Sequence, residues 1–343
     1  MVNTKNIILK KNTIPPYTIC IRTLGKGGKN YVKLLDSIMR LQPQPQEVII
    51  SIPHGYNLPQ EQLGYEQFIR CNKGMVLQRV AGGESARSEY ILFLDDDLEF
   101  PFDLVQRLYK PLVSGLSEIS FPILFDTMLP RPGLRTMVPA LIGSAVPMFL
   151  NRNEYYIKIL ANGGWSYNRF GRKHKTYYQS HSAPGPCFFA TKNAFLGIHF
   201  EEEEWVQIPS YAQFEDQTMF YKFYCCGITP VGVSDTGIVH LDSGKAEEGR
   251  RVNAIYARQK NLIIFWHRFL YSTSETAWKK IYRTLCFSYS LIAGLMVNIV
   301  ATCVRLSSTE ILVPVRGIHD AYTFLKSQEY RNIPQIKSFG KQK

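Results

Sequence analysis

The sequence predicts an α/β protein built on a parallel sheet with helices on its faces, followed by a C-terminal helical extension. Two observations predict the sheet. Short apolar, β-branched runs alternate with segments of helical period from residue 17 to residue 97, the pattern of βαβ units. The third clear run ends in Asp95-Asp96-Asp97, and α/β sheets bind their ligands at the carboxyl ends of such strands. A long helix is expected from about Arg250 to Tyr271, and the extension beyond it carries an uncharged stretch from Thr284 to Val304.

Tyr17 to Thr23 is the first strand, and Gly25-Lys26-Gly27-Gly28-Lys29 is the turn after it. Asn30 is expected to cap a helix over Tyr31 to Leu41, where Leu34, Leu35, Ile38 and Leu41 recur at helical spacing, and Pro43 and Pro45 end it. Glu47 to Ile52 reads as the second strand, Tyr65 to Arg70 as a short further element, and Tyr90 to Leu94 as the third clear strand, with a helix beginning near Pro101. From Phe121 to about Ser182 Pro, Gly and aromatic residues break the pattern, with an apolar stretch at Val138 to Leu150 and a basic one at Arg169 to Lys175. This region reads as a substrate-facing insertion. Cys187 to Ala190 is a strand again, and Asp216 to Cys226 a helix.

Composition narrows the classes. With 343 residues, 45% of them hydrophobic and 20% charged, the chain has the makings of a core, which excludes disorder. No internal repeat points to a solenoid. Forty Lys and Arg against 28 Asp and Glu give a net charge of +12, which favours anionic partners: nucleic acid, nucleotide phosphates or an acidic membrane face. The basic residues are spread along the chain rather than clustered with stacking aromatics, so no nucleic-acid partner is expected. Seven cysteines without C-x-x-C spacing indicate neither a disulfide framework nor a zinc site. The N-terminal segment MVNTKNIILKKNTIPPYT has only a three-residue apolar run, Ile7 to Leu9, and no cleavage site. A signal peptide is therefore not expected, and a cytoplasmic location is.

Two acidic features carry the chemistry. Three adjacent carboxylates at a strand end repel and raise one another's pKa, so a cation is expected among them. Mg²⁺ or Mn²⁺ takes carboxylate oxygens and shares its remaining positions with substrate phosphates. A metal bound to a diphosphate is the functional reading, and a solvated acidic turn is the bland one. The second feature is Phe214-Glu215-Asp216-Gln217, preceded by Glu201-Glu202-Glu203-Glu204-Trp205. Taken alone, Glu215 and Asp216 are no more than a cap or a dipole partner for the helix they open.

Together these features resemble a known family. Arg79 to Asp97, RVAGGESARSEYILFLDDD, resembles the stretch that leads into the aspartate motif of family 2 glycosyltransferases, with Val80 where that stretch has Asn. The first two strands and the helix between them also fall where that family puts them. Pro184 to Lys192 looks like its glycine-led acceptor strand, and Glu215-Asp216 looks like its "ED" motif. The resemblance covers roughly residues 17 to 270. It implies the GT-A fold, a Rossmann-like, mixed but mostly parallel sheet. It also implies a catalytic domain over 1–270, with a donor half at about 17–120 and an acceptor half at about 121–245, and a helical extension over 271–343.

The resemblance further implies an inverting transfer of a sugar from a nucleotide-sugar donor to an acceptor hydroxyl. Asp216 would be the general base, with Glu215 orienting the acceptor. Asp95 would lie near the donor ribose, and Asp97 would bind a Mn²⁺ or Mg²⁺ that neutralises the leaving diphosphate. Arg22, Thr23, Arg79, Asp95 and Asp96 are the expected donor contacts. Asp95, Asp97 and His240 are the expected metal ligands, although a lone histidine is as often only packed. Lys245, Arg250 and Arg251 are within range of the diphosphate, or else form a solvated face. After the second strand the family has an aspartate that helps hold the nucleobase, whereas this chain reads Ser51-Ile52-Pro53-His54-Gly55.

Surface polysaccharide or lipid-linked glycan assembly is the expected setting. Thr284 to Val304 is expected to lie on a membrane as an amphipathic helix, to be buried, or to form one span, with the chain at the inner face of the membrane. Docking on anionic lipid suits the net charge. Trp165, Tyr167, Trp205 and Tyr211 are expected to shape the acceptor site. The competing readings are an inactive homologue serving as a binding or scaffold protein, and a sugar-phosphate nucleotidyltransferase. The loop Gly25 to Lys29 lacks the G-x-x-x-x-G-K-[ST] spacing of a P-loop.

Overall fold

A computed structural model describes residues 14–124, 155–167, 175–207, 213–241, 248–305 and 312–336. The alternation read from the sequence is present: β1 (Tyr17–Arg22), α1 (Lys29–Arg40), β2 (Glu47–Pro53), β3 (Gln67–Cys71), α2 (Met75–Ser85) and β4 (Tyr90–Asp95). Two boundaries differ from expectation. Gly28, at φ 97°, occupies the N-cap of α1 and no side chain caps the helix. Asn30 therefore lies inside it, because the glycine-rich turn sets the entry and a left-handed φ suits glycine. The helix after the aspartates, α3 (Leu104–Val113), begins beyond Pro101, with Asp103 at its N-cap.

The rest of the chain adds β5 (Leu98–Glu99), β6 (Ile119–Pro122), β7 (Ile157–Ile159), β8 (Trp165–Tyr167), β9 (Tyr177–Gln179), β10 (Cys187–Thr191) and α4 (Lys192–Gly197). A 3₁₀ turn over Phe200–Val206, α5 (Glu215–Cys225), β11 (Val231–Val233) and β12 (Val239–His240) come next. α6 (Glu248–Phe265) continues as a π turn over Trp266–Tyr271, and α7 (Ala277–Arg305), α8 (Leu312–Lys326) and α9 (Gln328–Asn332) follow. Val138 to Leu150 and Arg169 to His174 lie outside the described residues.

Eight strands form one sheet in the order β3-β2-β1-β4-β10-β6-β11-β9. β3, β2, β1 and β4 run parallel, whereas β10 enters antiparallel between β4 and β6. The sheet is thus mixed and mostly parallel. The insertion reading for Phe121 to Ser182 is corrected in part: β6 ends there and β9 lies within it, and both are strands of the main sheet. Runs of three or four residues are too short to show a period of two, so they left no pattern to read.

Alternation along the strands loads both faces. Ile19 and Ile21 of β1, Ile50 of β2 and Leu92 of β4 pack with Leu34 and Ile38 of α1 and Leu104 and Leu108 of α3. Cys20, Ile49, Ile91 and Phe93 face the other side, with Val76 and Val80 of α2, Phe220 of α5 and Phe265 of α6. The sheet is thus buried on both faces. The carboxyl ends of β1 and β4 bring Arg22 and Asp95 side by side at one edge of it.

Candidate active site

β1 and β4 are register partners, with Arg22 opposite Asp95. The pair is bidentate: Arg22 Nε and Nη2 donate to Asp95 Oδ1 and Oδ2 at 2.6 and 2.9 Å. One residue further, Thr23 Oγ1 donates to Asp96 Oδ2 at 2.5 Å. Burial would raise the Asp95 carboxyl, but the Arg22 guanidinium outweighs it and holds the group below its usual range. Asp96 moves the other way, pushed up by burial against the opposing Thr23 hydrogen bond.

Arg79 comes from the buried face of α2, with 3% of its surface exposed. Its Nη1 pairs with Glu215 Oε1, and its Nη2 donates to the carbonyl of Gly185 at 2.8 Å. The guanidinium lies over the Phe188 ring at 5.5 Å. Arg22 Nη1 reaches the other Glu215 oxygen at 3.4 Å. Glu215 is buried, yet Arg79 and then Arg22 outweigh that burial and hold it ionised below the usual carboxylate range.

Asp216 is different. Its side chain is one-third exposed (33%), its Oδ1 is buried with no hydrogen-bond partner, and Arg79 Nη1 stands 3.9 Å away. Desolvation first, and the adjacent Glu215 charge second, push its carboxyl up to about 7. Both acids sit in the first turn of α5, where the helix dipole favours negative charge. Gly185, seen in the sequence only as part of the glycine-led strand, takes part as well. At Gly185 a Cβ would land on Asp216 Oδ1, so the loop before β10 passes beneath the carboxylate only because that residue is glycine.

His240 and Asp97 are brought together by β12 pairing antiparallel with β5, which sets His240 opposite Leu98. His240 Nε2 lies 3.0 Å from Asp97 Oδ2, and its buried Nδ1 has no partner. Burial would lower the His240 pKa, but the Asp97 hydrogen bond outweighs that and raises it. Among the described residues, no group of three or more His, Cys, Asp or Glu is arranged to hold a metal ion.

Other candidates separate. Ser51, where the family has an acid, is buried, and its carbonyl accepts from Thr23 N at 3.2 Å and from Gln78 Nε2 at 3.0 Å. Gln78 also donates to the Thr23 carbonyl at 2.9 Å, which ties α2 to both strand ends. Trp165 packs edge-on against Phe214, the residue before Glu215, at 5.2 Å. Trp205 is a correction: it is buried and donates to Glu203 Oε2 at 2.7 Å, so it belongs to the interior and not to an acceptor surface. Tyr211, Lys245 and the side chains of Tyr167, Arg250 and Arg251 lie outside the described residues.

Residues 68–196 match the family model Glycosyl transferase family 2. No curated protein sequence matches the chain. Among solved structures, similarity is found to GalNAc-T7 crystallised with UDP, GalNAc and Mn²⁺, with TM-score 0.45 and 14% identity over 80% of this chain and 56% of that one. The chain therefore spans little more than half the length of GalNAc-T7. S. aureus TarS 1–349 is similar with TM-score 0.40 and 12% identity over 92% of this chain and 93% of that one. The matched segment takes in Arg79, the three aspartates and Gly185, and this stretch of the chain is similar to family 2 glycosyl transferases.

Proposed function

We propose that the chain moves a sugar from a nucleotide-sugar donor to an acceptor hydroxyl with inversion, with Asp216 as general base. The observation that carries this reading is the unequal pair at the start of α5. Glu215 is locked as an anion by Arg79 and Arg22, while Asp216 stays accessible, unpaired on one oxygen and poised near 7. A base poised near the working pH is deprotonated in a good fraction of molecules while still binding a proton strongly. The acceptor hydroxyl gives its proton to the Asp216 carboxylate as its oxygen bonds to the sugar's anomeric carbon. The bond from that carbon to the diphosphate breaks with its electron pair on the leaving oxygen.

The donor diphosphate lies, in this reading, against the ends of β1 and β4 beside Arg22, Thr23 and Asp96. The residues present fit a hard divalent cation there. Asp97 Oδ2 and His240 Nε2 face each other at 3.0 Å as one oxygen and one nitrogen donor, whereas both Asp95 oxygens are taken by Arg22, so Asp95 is not free to join them. Asp97 and His240 would hold the ion, with donor phosphates supplying further ligands. When bound, Mn²⁺ or Mg²⁺ supplies charge neutralisation to the leaving diphosphate. Trp165, beside Phe214, offers a flat face for an acceptor sugar, and a surface polysaccharide or lipid-linked glycan is the acceptor class the resemblance favours.

Calorimetric titration of UDP, GDP, dTDP and CMP, with and without Mn²⁺, tests the donor site. One nucleotide is expected to bind in a metal-dependent way and to lose that binding in Asp97→Ala. Absence of binding by every nucleotide under every metal condition would overturn the reading in favour of an inactive homologue.

A further inference from the structure

We infer that α7 lies flat on an anionic lipid surface with an outward apolar stripe buried among the lipid headgroups. Among the described residues, the helix is held to the protein by one side only. Phe287 is buried and stacked on Trp266 at 4.1 Å, Ser290 Oγ accepts from Asn162 Nδ2 at 2.7 Å, and Arg283 donates to the Leu270 carbonyl and to Ser274 Oγ.

The opposite side is bare. Trp278, Tyr282, Leu285, Tyr289, Ile292 and Met296 are 80, 62, 65, 50, 62 and 58% exposed. At about 100° per residue, these six fall within an arc of roughly 80°, and at 1.5 Å per residue they run for about 27 Å. An aligned apolar face of that length is not the scatter of single exposed hydrophobes that monomers show.

Three observations choose lipid as the occupant. Nothing acidic lies between Ala277 and Arg305, and the exposed Lys279 stands beside the N-terminal end of the stripe while Lys280 and Arg283 lie toward the protein, within a chain of net charge +12. The first two turns of the stripe carry Trp278 and Tyr282, side chains with an apolar body and a polar edge that favour the headgroup region. Finally, among the described residues no helix is long and apolar enough to cross a membrane. Such a helix gains by lying in the interface rather than by spanning.

The inference is independent of the proposed reaction, and its test uses no nucleotide. The full chain is floated with vesicles of phosphatidylcholine and phosphatidylglycerol, and with phosphatidylcholine alone. We expect flotation on the anionic vesicles that weakens in high salt, and a blue shift of tryptophan emission that Trp278→Phe removes. Leu285→Glu/Ile292→Glu alters only exposed positions, so its circular dichroism should match wild type while vesicle binding falls at least about tenfold. Failure of the wild-type chain to float, or unchanged flotation by the double variant, overturns the inference. So does a wild-type dimer that the double variant dissociates without either binding vesicles, since the stripe would then join two copies of the chain.

Discussion

Glu203 and Glu215 are both buried carboxylates facing two cations, yet their neighbourhoods end differently. Glu203 receives Lys222 Nζ at 2.7 Å, Arg268 Nε and Nη2 at 2.7 Å each, and the Trp205 indole. Lys222 also pairs with Glu202 at 2.7 Å and donates to the His199 carbonyl, while Arg268 donates to the Pro334 carbonyl at 2.9 Å. Two cations meet two carboxylates, and the cluster locks the 3₁₀ turn, α5, the π turn and the segment after α9 together. Around Glu215 two cations, Arg22 and Arg79, must serve three carboxylates: Asp95, Glu215 and Asp216. The closed cluster is structural. The open one leaves one acid in excess, and that acid is the one whose pKa rises to about 7. Desolvation raises that carboxyl first and the Glu215 charge second, and the two shared guanidiniums offset them only in part.

The comparison can be broken at Asp216 first. Asp216→Asn keeps the shape and removes the base, so single-turnover sugar transfer should fall about 10²–10⁴-fold while nucleotide affinity by calorimetry stays within about twofold. On the closed side, Arg268→Met leaves the Glu203 charge in the interior with one partner lost. Chemical denaturation should show a loss of about 3–5 kcal/mol, since an unpaired buried ion is costly. Equal stability would mean the cluster is not the clasp described here.

Smaller changes sharpen it. Gly185→Ala should displace the Asp216 carboxylate and lower transfer by about 10–100-fold with little change in thermal stability. Glu215→Gln removes the charge that helps push Asp216 up while leaving Arg79 nearby. The acid limb of the rate profile should then move down by about one pH unit or more.

The smallest effect is on stability. A carboxyl whose folded pKa lies above its unfolded value stabilises the fold below the ordinary Asp range and loses that contribution as pH rises through about 7. Asp216→Asn has no such loss. Its melting temperature should gain on wild type by ~1–2 °C between pH 5 and pH 8 in scanning calorimetry.

Much of this was legible in the sequence, for identifiable reasons. β1, β2 and β4 are apolar, β-branched runs, and Asp95 to Asp97 and Glu215-Asp216 are local motifs that need no fold to be seen. What stayed hidden depends on pairing across distance. Glu203 read as part of an acidic run, because Arg268 is 65 residues away. Trp205 looked like a sugar platform until its indole was found on Glu203. Gly185 was visible as part of a glycine-led strand, but its reason, the Asp216 carboxylate beneath it, comes only from the packing of the loop before β10 against α5. Asn30 has cap chemistry, yet Gly28 takes the cap because the turn before it calls for positive φ.

The central claim is that Asp216 titrates near 7 beside an ionised Glu215. It is tested most directly by infrared titration of ¹³C-Asp-labelled protein, taken as the difference between wild type and Asp216→Asn. The account predicts one carboxyl, absent from the variant, that ionises with a midpoint near 7. If the difference spectrum ionises near 4 with the ordinary aspartates, Asp216 is not held in reserve by the excess of acid, and the account is contradicted.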